Sequence, residues 1–127
     1  MANILVVDDS KFSRGRLVST LRSEGFHVSE VENGTAALEH IHALRPDLVV
    51  TDLLMPELDG FGLLQELHER NCSIPVIVVS ADIQSSSQAA CREFGARAFL
   101  NKPFKPEDLL TVVRDILTAA TQECAPC

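Results

Sequence analysis

The chain has no tryptophan and no tyrosine, and its 11 lysines and arginines are outnumbered by 18 aspartates and glutamates. The net charge of −7 argues against a nucleic-acid partner, because phosphate backbones are bound through a basic face. The cations are scattered, with no run long enough to hold an anionic membrane surface. No apolar run approaches the length of a membrane span. Met1-Ala2-Asn3 leads straight into a strand-like segment, with neither the positive nor the apolar region of a signal peptide. These absences predict a cytoplasmic protein without a membrane partner. There is also no internal repeat, no low-complexity segment and no sign of a second domain. One domain over residues 1–120 is expected, large enough to bury a core without disulfides, with residues 121–127 as a disordered tail.

Cysteine is sparse as well. Cys72, Cys91, Cys124 and Cys127 are expected to be reduced in a cytosolic chain. Cys124-Ala125-Pro126-Cys127 has a spacing that zinc or redox chemistry uses. It lacks a second ligand pair and lies at the extreme terminus, so it reads as a tail that carries two thiols. His27, His40, His42 and His68 fall on presumed surfaces without a shared spacing, so no metal site is read from them. Phe12, Phe26 and Phe94 are read as core or helix-packing residues.

What the chain does have is a fivefold alternation of strand-like and helix-like patterns. Ile4-Leu5-Val6-Val7, the run ending Leu48-Val49-Val50-Thr51, and Val76-Ile77-Val78-Val79 are continuous apolar runs, as strands buried on both faces should be. Phe26 to Val31 alternates apolar and polar, as an edge strand would. Between them lie helical stripes: Leu17, Val18 and Leu21, then Ala37, Leu38, Ile41 and Leu44, then Phe61, Leu64 and Leu67. Gly25 suits a helix C-cap, Arg45-Pro46 a helix stop and Asp59 an N-cap. The helix from about Ile83 to Phe94 is weakly signalled, since Ser85-Ser86-Ser87 are poor helix formers. The last helix opens at Pro106, with Glu107 and Asp108 at the positive end of its dipole. Five βα units without long linkers predict an α/β fold: a flavodoxin-like, doubly wound, five-stranded parallel sheet of order 2-1-3-4-5 with five helices.

The strand ends carry the chemistry. The first run ends in Asp8-Asp9, the third in Asp52, the fourth in Ser80 and the short run Ala98 to Asn101 in Lys102. In a parallel sheet these groups emerge along one carboxyl edge, where open α/β sheets place their ligands. Taken singly, an Asp at a strand end is a solvated cap and a Lys before Pro a surface charge. Four strand ends that each supply a complementary group point to a site. Two carboxylates roughly 4 Å apart repel by about 4 kcal/mol at an effective dielectric near 20. The triad therefore takes up protons or binds a cation. Mg²⁺ fits an all-oxygen set, and zinc would want His or Cys. A carboxylate can attack phosphorus to form an aspartyl phosphate. Position and cations on the phosphoryl oxygens are most of what such transfer needs. Lys102 would take one oxygen and the Ser80 hydroxyl another, while Ala81 leaves room for the donor.

The motifs Val6-Val7-Asp8-Asp9-Ser10, Asp52-Leu53-Leu54-Met55-Pro56 with Asp59-Gly60, Ser80-Ala81 and Lys102-Pro103-Phe104 resemble those of response-regulator receiver domains of two-component systems, of the stand-alone CheY-like kind. The likeness runs over nearly the whole chain. It implies that Asp52 is the phosphoacceptor and that Asp8, Asp9, Asp52 and the Leu54 carbonyl hold Mg²⁺. It also implies that Ser80 and Lys102 contact the phosphoryl group and that the Lys102–Pro103 bond is cis. Phe99 matches an aromatic that changes rotamer as the Ser80 position moves. Many chemotaxis members carry Tyr there, so a partner-facing hydroxyl is missing. Leu54 and Asp82 would flank the path of an attacking water and tune phosphoryl lifetime.

The expected function is a single-domain response regulator, phosphorylated by a histidine kinase, whose affinity for a protein partner switches at the face made by the fourth helix, fifth strand and fifth helix. Chemotaxis is the expected setting. No output domain is seen after the fifth helix, so output would pass to another polypeptide. A phosphate sink is one alternative. A haloacid-dehalogenase-type phosphohydrolase is another, but it needs D-x-D where this chain has Asp-Asp-Ser, and a cap insertion for which there is no room. The protein is thus expected not to be an enzyme, beyond catalysing its own phosphorylation and dephosphorylation.

Overall fold

Five parallel strands lie in the order β2-β1-β3-β4-β5. The structure, a computed structural model, describes residues 2–52, 60–70, 74–81, 89, 91–93, 95–102 and 104–123, without the side chains of 61 and 119–123. Strands and helices alternate as β1 (Asn3–Val7), α1 (Lys11–Ser23), β2 (His27–Val31), α2 (Gly34–Leu44), β3 (Leu48–Thr51), α3 (Gly60–Glu69) and β4 (Val76–Ser80). Then follow α4, described at residues 89 and 91–93, β5 (Ala96–Asn101) and α5 (Pro106–Glu123). The fold is the flavodoxin-like α/β sheet that the alternation predicts.

The period of the strands divides the core in two. Leu5, Val7, Val49, Val76 and Val78 face one side, where Ala37 and Ile41 of α2, Leu63, Leu64 and Leu67 of α3 and Cys91 of α4 cover them. Ile4, Val6, Leu48, Val50, Ile77 and Val79 face the other, under Leu17, Val18 and Leu21 of α1 and Leu109 and Val113 of α5. Residues i and i+1 of each central strand therefore lie in different cores. This is why β1, β3 and β4 read as unbroken apolar runs. β2 pairs only with β1, and none of its five residues is fully buried.

β5 breaks this alternation once. Val76 pairs with Ala96, but Ile77 pairs with Ala98, so Arg97 is an extra residue in the ladder. A bulge of this kind shifts the phase of the side chains by one. Ala96 accordingly packs in the α2/α3 core, whereas Ala98, two residues on, packs with α1 and α5.

Helix ends follow their sequence signals. Ser10 caps α1 by accepting from the Ser13 amide at 3.3 Å, and Asn33 caps α2 by accepting from Ala36 at 2.8 Å. Gly25, at φ 88°, takes the left-handed conformation that ends α1. Pro46 disfavours the helical region for Arg45, which ends α2 at φ 45°. Pro106 is the first residue of α5, followed by Glu107 and Asp108. This helix runs to Glu123, so residues 121–123 belong to it, and 124–127 lie outside the described residues.

Two packing expectations are corrected. Phe12 is 78% exposed and Leu44 67% exposed. Phe12 precedes Leu17 by five positions, about 140° round the helix at 3.6 residues per turn, so it points away from the buried stripe. Leu44 occupies the last residue of α2, past the end of the covered face. Phe26 packs, partly buried, against the α1/α5 core, whereas the Phe94 side chain, the Asp59 cap and Cys72 lie outside the described residues.

Candidate functional site

Parallel register brings the acidic residues together. Val7 pairs with Thr51 across β1 and β3, so the next residues, Asp8 and Asp52, leave the sheet side by side. The Asp52 amide donates to the Val7 carbonyl at 2.9 Å, and the Asp8 amide donates to Val31 of β2 at 3.2 Å. Asp8 is fully buried, Asp52 is buried and Asp9 is exposed. One carboxylate oxygen from each of the three lies within 4.8 Å of the others. Among the described residues this is the one such group of His, Cys, Asp or Glu side chains, so the four histidines form no metal cluster with described residues.

Lys102 reaches into the cluster from the end of β5. Its Nζ donates to Asp8 Oδ2 at 2.9 Å and to Asp52 Oδ2 at 2.9 Å. Lys102, expected to take a phosphoryl oxygen, lies here between two carboxylates. Burial pulls the ammonium pKa down, but hydrogen bonds and attraction from Asp8 and Asp52 outweigh it and hold the group above its ordinary value. The second Asp8 oxygen, Oδ1, accepts from the Ser10 amide at 2.9 Å. Three carboxylates against one ammonium leave two negative charges, the charge of one divalent cation. The donors are all hard oxygens, which fits Mg²⁺. Asp8, Asp9 and Asp52 would hold the ion, and it would neutralise charge and orient phosphoryl oxygens. The Leu54 carbonyl, Asp82 and Pro103 lie outside the described residues.

Ser80 is fully buried at the end of β4. Phe99 packs half-buried against the α2/α3 core, in register with Val78. Ala81 is exposed beside Ser80. The buried Thr51 hydroxyl donates to the Asp52 carbonyl at 2.9 Å.

Two cations of α1 also reach toward this edge, and sequence reasoning missed both. Arg14 donates through its guanidinium to the Asp8 carbonyl at 2.7 Å and through Nε to Glu30 of β2 at 2.9 Å. Arg16 lies over the Phe104 ring, 5.3 Å from its centroid, a cation–π contact that ties α1 to the segment after Lys102. A signal was present. The first turn of α1 has no acidic residue, and it carries Lys11 and Arg14 where the helix dipole disfavours cations, with Arg16 following in the next turn. Such residues need anionic, carbonyl or aromatic partners from elsewhere in the fold.

Comparison with known proteins agrees with this geometry. Residues 4–114 match the family described as "Response regulator receiver domain", and the chain belongs to that family. Response regulator MprA of Mycolicibacterium vanbaalenii is 37% identical over 120 residues, covering 94% of this chain and 52% of that protein. This chain thus spans about half the length of the curated relatives it matches. Among solved structures, the receiver domain of a Francisella response regulator superposes with a TM-score of 0.90 at 28% identity, covering 94% of this chain and 99% of that one. Chemotaxis protein CheY4 of Vibrio cholerae gives 0.85 at 28% identity, covering 91% and 98%. No described helix is long and apolar enough to cross a membrane.

Proposed function

We propose that this chain is a phosphorylation-controlled switch in which Asp52 accepts a phosphoryl group from a histidine kinase in the presence of Mg²⁺. One observation carries the reading: the Lys102 ammonium sits 2.9 Å from both Asp8 and Asp52 inside a triad of carboxylates. In the transfer, a carboxylate oxygen of Asp52 bonds to phosphorus as the P–N bond of phosphohistidine breaks, its electron pair leaving with the imidazole. Lys102, already at Asp52, turns to an oxygen of the incoming group and stabilises the charge gathered there. The buried Ser80 hydroxyl donates to another oxygen, and its movement frees space for Phe99. The altered surface of α4, β5 and α5 then selects a protein partner. Beyond gaining and losing this phosphoryl group the chain turns over no substrate, and it acts in the cytoplasm.

The likeness to a chemotaxis protein supports a chemotaxis pathway as the setting. A second setting is supported by MprA relatives about twice as long, in which a receiver would control a further segment of the same polypeptide. The acceptor is tested by incubating the protein with Mg²⁺ and acetyl phosphate. One label per chain is expected, stable in acid and labile to base and hydroxylamine, and absent from Asp52→Asn. Undiminished labelling of Asp52→Asn would overturn the assignment.

A further inference from the structure

We infer that Arg14 is a positioning residue for the metal-binding pair Asp8-Asp9, acting through the peptide group that joins them. The inference rests on the reading of the acidic cluster as a Mg²⁺ site and names a residue outside the motifs quoted above for the resemblance. The Asp8 carbonyl belongs to the peptide plane whose nitrogen is that of Asp9. A guanidinium hydrogen bond of 2.7 Å to this oxygen fixes the rotation of that plane, and so the direction in which Asp9 leaves the backbone. Among the described residues no side chain holds the exposed Asp9 carboxylate, and the orientation of its own backbone sets the direction from which it reaches an ion. Asp8 itself is pinned separately, through its amide to Val31 and its carboxylate to Ser10 and Lys102.

Arg14 is suited to this task because it is itself immobilised. Its side chain is 14% exposed, and its Nε is anchored on Glu30 Oε1 at 2.9 Å. The planar fork lets one guanidinium serve both acceptors, which a lysine ammonium does with less geometric control. Outer partners that orient metal ligands typically change metal affinity by about 10–100-fold when removed.

The sign of the change separates this role from its rivals. A guanidinium that acted only as a nearby cation would repel Mg²⁺, so its removal would tighten binding. One that only stabilised the fold would lower the melting temperature and leave affinity unaltered. As a positioning residue, its loss must weaken binding. Calorimetric titration of the full chain with MgCl₂, without phosphodonor and at a temperature where circular dichroism shows it folded, measures this directly. Arg14→Ala should raise the dissociation constant about tenfold. Arg14→Lys should give a smaller rise, and Glu30→Gln, which frees the anchor, a rise in the same direction. These two variants carry the comparison should Arg14→Ala not fold. An unchanged or lowered dissociation constant overturns the inference. A wild-type chain that binds no Mg²⁺ instead overturns the metal reading beneath it, and the two failures are told apart by the wild-type titration alone.

Discussion

The backbone amide of Lys102 donates to the carbonyl of Ser80 at 2.9 Å, one step past the last paired residues of β4 and β5, Ser80 and Asn101. The residue bearing the ammonium and the residue bearing the hydroxyl are thus coupled by one peptide hydrogen bond. Lys102 then spans the site to Asp8 and Asp52, so a change at the acidic cluster has a short covalent and hydrogen-bonded route to β4 and β5.

Replacing this ammonium tests its electrostatic role. Lys102→Met removes the ammonium that bridges the buried Asp8 and Asp52 carboxylates, a loss of about 3 kcal/mol for one partner of a buried pair. Mg²⁺ should recover part of it. Denaturant titrations should show a larger Mg²⁺-induced gain in unfolding free energy for Lys102→Met than for the wild type. Equal gains would place the ammonium outside the ion's electrostatic reach.

The raised Lys102 pKa predicts an alkaline dependence of stability. Below the unfolded lysine value of about 10.4 both states carry the proton, so the contribution is complete and flat. Above it the folded state binds more protons than the unfolded one, and stability falls as pH rises through the folded value. The chain has no tyrosine to titrate in the same window. On the alkaline side of neutrality the wild type should therefore lose its advantage over Lys102→Met only above about pH 10.4. A difference curve that changed between pH 7 and 9 would contradict this.

Mg²⁺ at about ten times its dissociation constant should stabilise the fold by roughly 1.4 kcal/mol. Thermal melts in MgCl₂ and in chelator should differ accordingly. Asp9→Asn removes an exposed carboxylate and should shrink the difference while leaving the chelator melt nearly unmoved.

Two phenylalanines provide a packing control. Phe12 is 78% exposed and Phe104 is 7% exposed. Phe12→Ala should change stability by no more than about 0.5 kcal/mol, whereas Phe104→Ala should cost about 3–5 kcal/mol and also release Arg16. Comparable losses at the two positions would contradict the orientation of α1.

The sheet was legible because its evidence is local. The central strands are buried on both faces and so read as continuous apolar runs, and β2 betrays its edge position by alternation. The acceptor edge was legible for the same reason, since Asp8, Asp52 and Lys102 each follow directly on a strand and Ser80 is the last residue of one. What escaped was set by tertiary geometry. Helical spacing names a stripe but not how far round the helix the core extends, which is why Phe12 and Leu44 were misplaced. The contact of Lys102 with Asp8 joins residues 94 positions apart, and the Arg14 bridge depends on the packing of α1 against β2. Neither leaves a periodic trace.

The extra residue in β5 also acts as a length gauge. Four residues, 98–101, separate it from Lys102. Inserting one beyond it would exchange the two faces of the strand. Inserting two would restore the faces but carry the ammonium about 6–7 Å further along the strand, out of reach of both carboxylates. Ahead of Ala96 the chain turns through Gly95, at φ 98°, where added residues can loop out without altering that count. Natural length variation in proteins built this way should therefore fall before the irregularity and not between it and the lysine.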